Sequence, residues 1–335
     1  MLIYLLDVLE KRRDIDDFSS EFMYFKCDDD AIVFKKLIKA MLNSNSRYTM
    51  YDDFILAESK RCKCKIMIHK KGELIDMVLF DPQTPKINSF DDYRRAIKNL
   101  NFQNSSFDLY KKGISIYNDD KVVAVSSLIK IVVAGCVLLE KKTELKRRLK
   151  IREGNVSNFS HFYTLNDINK EFTVEELLMT MMIASDNTAF DTLIDFVGRS
   201  NINKYINSKG YSLSIRKSKE IYDINWNNEE KPGASILDIK WDEGGDYFVP
   251  LELIRLCFKD IYDSGFYQYV NNDKLLFKGG NAPGVLSFAW YYPQEEIFLG
   301  LAVNDNEVIN VFDLYFINKA SEEVLKIIRR KEHVI

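Results

Sequence analysis

The stretch VVAVSSLIKIVVAGCVLLE, Val122 to Glu140, decides how the chain is read. From Leu128 to Leu139 nearly every residue is apolar, with no polar stripe at helical spacing. A helix that is apolar all round is buried on every side. The run is too short, and too interrupted by Lys130, to cross a membrane. It is therefore expected as the central helix of a soluble domain. Ser127 falls in its first turn and Lys130 three residues later, a spacing that puts both on one helix face. A hydroxyl and an amine then project together, beside backbone N–H groups that a helix start leaves unpaired.

A serine hydroxyl is a poor nucleophile until a base takes its proton. A lysine in a dry site loses basicity and can be that base. The plainer reading is a capping serine and a lysine that snorkels out of the core. The four-residue pattern is cheap. Ser214-Ile-Arg-Lys217 repeats it in a polar stretch with no apolar helix behind it.

Working outward, 335 residues with 46% hydrophobic and 29% charged suffice for one large domain or two smaller ones. The net charge of -3 does not suggest a nucleic-acid role. Met1 to Leu6 is too short and too soon followed by charge for a secretory signal, so a cytoplasmic location is expected. Five cysteines fit a reducing compartment better than a disulfide framework. Cys62, Cys64 and His69 read as strand positions rather than metal ligands, and no metal or other cofactor is expected.

Residues 1–87 read as a small α+β unit, with a helix over Ala31–Leu42 and a hairpin of Lys63–His69 and Leu74–Phe80. Asp81-Pro-Gln-Thr-Pro85 is the clearest break, and the boundary is placed just after it. Residues 88–335 would form the second domain. Ser89 caps a helix to Leu100; strands follow at Phe107–Tyr110 and Ile114–Tyr117; Glu140–Lys150 continues as charged surface. Thr173 and Glu176 form a capping box for a helix that breaks at Ser185-Asp186-Asn187 and restarts until Gly198. Such a polar interruption between apolar helices suits functional side chains, although Asp186 also reads as a simple cap. Asn201 to Tyr247 is less regular, and Asn225 to Gly245 looks like a surface loop. Leu275–Gly280, Val285–Tyr291 and Ile297–Val303 are strands before a closing helix. Early and late strands would share one antiparallel sheet around a helical middle.

Ser127-Leu-Ile-Lys130, Ser185-Asp186-Asn187 and Lys278-Gly279-Gly280, in that order, resemble the motif set of the serine β-lactamase and penicillin-binding protein superfamily. The likeness covers about residues 89–335. A narrower resemblance is to the β-lactamase-like hydrolases typified by the open-reading-frame-12 product of clavulanic acid gene clusters. These carry an N-terminal cystatin/steroid-isomerase-like domain, and MMIASDNTAFDTLIDFVGR is similar to their segment. The resemblance implies Ser127 as nucleophile, Lys130 as base and Ser185 as proton carrier. It implies substrate binding by Asn187, Lys278, Gly280 and Asn281, with an oxyanion hole from the N–H groups of Ser127 and Asn281.

Two departures follow. Lys-Gly-Gly lacks the middle hydroxyl that helps hold a carboxylate. The Glu-x-x-Leu-Asn segment that supplies the deacylating water in class A enzymes is missing; Glu220 or Asp223 would have to replace it. The expected activity is hydrolysis of an ester, amide or β-lactam through a Ser127 acyl-enzyme, with slow β-lactamase turnover. The partner is a small acyl substrate, and the oligomeric state stays open. The alternatives are a non-catalytic binding protein that uses the same pocket, and a DD-peptidase.

Overall fold

A computed structural model of the chain describes residues 2–12, 14–15, 35, 38–42, 44, 46–71, 73–157, 159–160, 162–223, 247–266, 275–307 and 309–330. Its contacts divide it into two units, Met1–Asn101 with Ile309–Val334, and Phe102–Val308.

The first unit opens with helix α1 (Leu2–Leu9). Strands β1 (Arg47–Met50), β2 (Ile55–Glu58), β3 (Lys63–Lys71) and β4 (Leu74–Pro82) form an antiparallel sheet in chain order. The expected hairpin is β3–β4; the two short strands before it were not anticipated. Of the helix expected over Ala31–Leu42, residues 38–42 are helical and most of the rest lie outside the described residues. Ser89 caps helix α2 (Phe90–Lys98), its hydroxyl accepting from Asp92 N, as expected. The chain parts elsewhere than after residue 87. Buried Tyr93 of α2 meets Ser321 Oγ of the helix Val311–Arg330 at 3.0 Å. Arg61 beside β3 forms a buried ion pair at 3.1 Å with Asp313 of the same helix. These contacts join α2 and the closing helix to the four-stranded sheet.

The second unit begins with β5 (Asn104–Lys111) and β6 (Ile114–Asn118). The stretch that holds the central helix, expected to have Ser127 in its first turn, divides. Val122–Ala124 is a strand, β7; Ser126–Leu128 is a 3-10 turn; the helix α3 runs Ile129–Glu140. Two β-branched valines favour the extended start. The Asn304 side chain holds it, accepting from Ala124 N at 3.1 Å and donating to Ala124 O at 2.9 Å. Every residue of α3 from Ile129 to Leu138 is buried, as the all-round apolar pattern requires.

Past α3, the charged stretch is not a helical continuation: a 3-10 turn leads into β8 (Arg148–Lys150), which pairs with β9 (Glu171–Thr173). The capping box at Thr173 starts α4 (Val174–Ile183), and α5 (Asn187–Val197) follows the polar break and ends at Gly198. A further helix, α6 (Arg199–Ser208), lies where an irregular region was expected. The loop expected over 225–245 lies outside the described residues. Strand β10 (Phe248–Pro250) pairs with β7 and leads into α7 (Leu251–Asp263). Then come β11 (Leu276–Ala282), β12 (Val285–Tyr292) and β13 (Ile297–Asn304). The main sheet has the order β11-β12-β13-β5-β6 and is antiparallel throughout. One apolar core joins α3, α4, α5 and α7 to that sheet through Ala289, Tyr291 and Phe298.

Candidate active site

Ser127 sits in the 3-10 turn between β7 and α3, half-buried. The turn is pinned to the sheet. Ser126 Oγ donates to Asn281 O at 3.1 Å, and Ser287 Oγ donates to Val125 O at 2.6 Å. A Cβ on Gly280 would lie 2.4 Å from Val125 O and 2.9 Å from Ser127 N. Only glycine lets β11 come this close, so Gly280 works through its missing side chain. Ser126 and Ser185 both hold positive φ, +48° and +56°. Non-glycine residues in this region store about 1–3 kcal/mol of strain each and gather at functional sites.

Lys130, the second residue of α3, is 1% exposed. Its Nζ lies 3.0 Å from Ser127 Oγ, 2.6 Å from Ser185 O, 3.2 Å from Ser185 Oγ and 2.6 Å from Asn187 Oδ1. The Phe190 ring lies 5.8 Å away and dries that side of the amine. Lys278 on β11 donates to Ser185 Oγ at 2.8 Å and to Gly279 O at 3.0 Å. Burial lowers it to about 8. The Ser185 hydroxyl thus bridges two buried amines. Ser127, Lys130, Ser185, Asn187 and Lys278 converge from three elements separated in the chain. Asn281 supplies the carbonyl that anchors Ser126, and the residue is exposed.

Asp186 is a structural cap. Its Oδ1 accepts from Ala189 N at 2.8 Å, and its Oδ2 accepts from Phe162 N and Tyr163 N at 3.1 and 3.2 Å. The carboxylate therefore starts α5 and pins the loop ahead of α4 in one step.

The deacylation candidates lie on a π-helical turn, Lys219–Asp223. Glu220 is turned to other partners: it pairs with Arg199 and accepts from Lys217 N at 3.1 Å. Burial pulls its carboxyl upward, but the Arg199 guanidinium and the Lys217 N–H outweigh that and hold it below the ordinary value. Asp223 ends the turn; its side chain lies outside the described residues.

Sequence reasoning missed Asp191. Fully buried on α5, it accepts from Ser218 N at 2.6 Å and from Lys219 N at 2.9 Å. Burial raises it to about 7, against the pull of those N–H groups and of the Lys217 and Lys130 charges. It staples the Glu220 segment to the helix that begins with Asn187. Its position four residues after Asn187, on the same face, was the available signal. The second copy of the lysine pattern dissolves. Ser214 is exposed and not helical, and Lys217 donates instead to Asn155 Oδ1 and pairs with Asp195, both at 2.7 Å.

A serine turn against a sheet, a buried lysine and a serine–asparagine break between helices sit on a recognisable fold: that of the β-lactamases and penicillin-binding proteins. A family model described as the beta-lactamase enzyme family matches residues 96–236. A β-lactamase of Citrobacter koseri is 30% identical over 99 residues, 28% of this chain and 33% of that protein. The match thus spans a third of that relative's length. Among solved structures, PBP-A has a TM-score of 0.54 at 14% identity, over 74% of this chain and 100% of its own. A class A β-lactamase of Bacteroides cellulosilyticus has a TM-score of 0.53 at 16% identity, over 71% of this chain and 98% of its own.

Proposed function

We propose that the chain is a serine hydrolase that opens an ester, amide or β-lactam through an acyl-enzyme on Ser127. The observation that carries this is the set of partners around Lys130 Nζ. A neutral lysine amine has two hydrogens and one lone pair. Ser185 O and Asn187 Oδ1, each at 2.6 Å, accept the hydrogens. The lone pair is left for Ser127 Oγ at 3.0 Å. Two carbonyl oxygens therefore orient the amine as a base.

In acylation, the Ser127 Oγ–carbonyl bond forms as its proton passes to Lys130. The Ser127 and Asn281 N–H groups stabilise the oxyanion; one such donor contributes about 3 kcal/mol. As the carbon–nitrogen or carbon–oxygen bond breaks, Ser185 Oγ hands a proton from Lys130 to the leaving group. Lys278 attracts a substrate carboxylate, and Asn187 also meets the substrate amide. Water then releases the acyl group and returns Ser127. With Glu220 engaged by Arg199, this last step is slow. A small acyl molecule is the partner, and the cytoplasm the location we infer. We place the chain with the open-reading-frame-12 group, reading the four-stranded sheet with α1 as its cystatin/steroid-isomerase-like unit.

Intact-mass spectrometry after incubation with a fluorescent penicillin, a cephalosporin and an activated ester tests the proposal. A lasting adduct on Ser127 is expected. Neither adduct nor product with any of the three would favour a binding protein that uses the same pocket.

A further inference from the structure

The segment Lys141–Arg152, KKTELKRRLKIR, carries seven cations and one acid in twelve residues, in a chain whose net charge is negative. Helix periodicity hides it, because the segment is a turn followed by β8. Four of the cations have acidic partners nearby. Lys141 and Arg147 pair with Glu144, Lys146 with Glu175 and Arg148 with Glu171. Lys150 and Arg152 have no acidic partner among the described residues, and they line a cleft of about 240 Å³. Arg147, Leu149, Asn155, Thr192, Asp195 and Phe196 complete the lining.

The walls of this cleft are held in place. The Phe196 ring lies 5.6 Å from Lys141 Nζ and 5.4 Å from the Arg147 guanidinium carbon, so cation–π attraction restrains both cations. Lys217 ties Asn155, 2% exposed, to Asp195 on α5. Asp195 is the one acid in the lining, and Lys217 already neutralises it. What remains is a positive concavity with guanidinium forks, the geometry that receives an oxyanion bidentately. Its volume is below the roughly 300–1,000 Å³ of sites for drug-sized ligands. An occupant is therefore small.

We propose that this cleft, separate from the Ser127 site, binds a small phosphate-bearing ligand, with Lys150 and Arg152 as its free cations and Arg147 as a fixed third. The shared chemistry is the phosphate group. Its source is either the free ion or a phosphorylated metabolite.

The test is a thermal and calorimetric titration of the full-length protein with inorganic phosphate, pyrophosphate and phenyl phosphate at constant ionic strength, with sodium chloride as control. Saturating phosphate or one of its esters should raise Tm by about 2–4 °C. The Lys150→Ala/Arg152→Ala double variant, at exposed positions, should keep its own Tm and lose at least tenfold in affinity. Lys142→Ala/Lys146→Ala removes two cations of the same segment outside the cleft lining and should bind as the parent does. Tighter binding of phenyl phosphate than of the inorganic ions would indicate a phosphorylated metabolite; equal binding would indicate the free ion. Equal shifts with chloride and phosphate, an unchanged affinity in the first variant, or the same loss in both variants would overturn the site. All these readouts are independent of hydrolysis, so they stand or fall apart from the assignment of Ser127.

Discussion

Ser127-Leu-Ile-Lys130 and Ser214-Ile-Arg-Lys217 match the same four-residue pattern, yet they do different work. The first straddles a 3-10 turn and the start of a buried helix, so serine and lysine project together and the amine is enclosed. The second lies in irregular backbone before the π-helical turn, with no helix to bring its serine and lysine onto one face. Ser214 is exposed to solvent, and Lys217 turns to Asn155 and Asp195. The Lys130 amine is enclosed by two carbonyl oxygens and an aromatic ring, whereas the Lys217 amine lies beside a carboxylate.

Substitutions can break or sharpen this contrast. The largest effect is expected at Ser127→Ala, which should lower acylation by a factor on the order of 10³ or more. Intact mass should show no adduct, and Tm should stay near that of the parent because Ser127 is half-buried. Ser214→Ala should leave both measurements unchanged. A lasting adduct in Ser127→Ala would move the nucleophile, with Ser185 tested next.

Gly280→Ala comes next. The added carbon would press on Val125 O and Ser127 N, both backbone atoms that cannot swing aside. Overpacking of this kind costs about 1–3 kcal/mol. Both Tm and acylation should fall, and a parent-like Tm would mean the turn has more room than the geometry allows.

The pH dependence isolates Lys278. Burial places it at about 8, so its positive charge is full below that pH and lost above it. Acylation by a carboxylate-bearing β-lactam should decline up to tenfold per pH unit beyond 8 from this group, and acylation by a neutral ester should not share the decline. The stability linkage has its own sign. A lysine lowered from 10.5 to about 8 binds fewer protons folded than unfolded, so its contribution to stability rises with pH across that window. Identical acylation profiles for the two substrates would remove Lys278 from carboxylate recognition.

Smaller still is Glu220→Gln. With its carboxylate on Arg199, the residue should contribute little to deacylation, and the adduct lifetime should change by less than about twofold. A much longer-lived adduct would restore Glu220 as the base. The smallest effect on acylation should be that of Lys217→Ala. It removes a partly exposed pair with Asp195 and the partner of buried Asn155 Oδ1, so stability should fall by about 1–3 kcal/mol, read as a lower Tm.

Much of this was legible in the chain itself. The all-round apolar run identified the buried helix, because burial on every side leaves no place for a polar stripe. The caps at Ser89 and Thr173, the break at Ser185 and the strand–glycine pair at Gly279-Gly280 are local signals, and local backbone chemistry reproduces them. The split of Val122–Glu140 into strand, turn and helix was not legible, because Asn304 and β10, over a hundred residues away, hold the strand. Nor was the closing helix's grouping with the first unit, which depends on Ser321 and Asp313 meeting residues far earlier in the chain. The sequence by itself determined which residue types were available for the site. Only the tertiary structure decided that Lys130 faces two carbonyl oxygens, that Glu220 turns to Arg199 and that buried Asp191 joins the Glu220 segment to α5. Distance and dryness set what an amine or a carboxylate does, and both come from chain segments that meet only on folding.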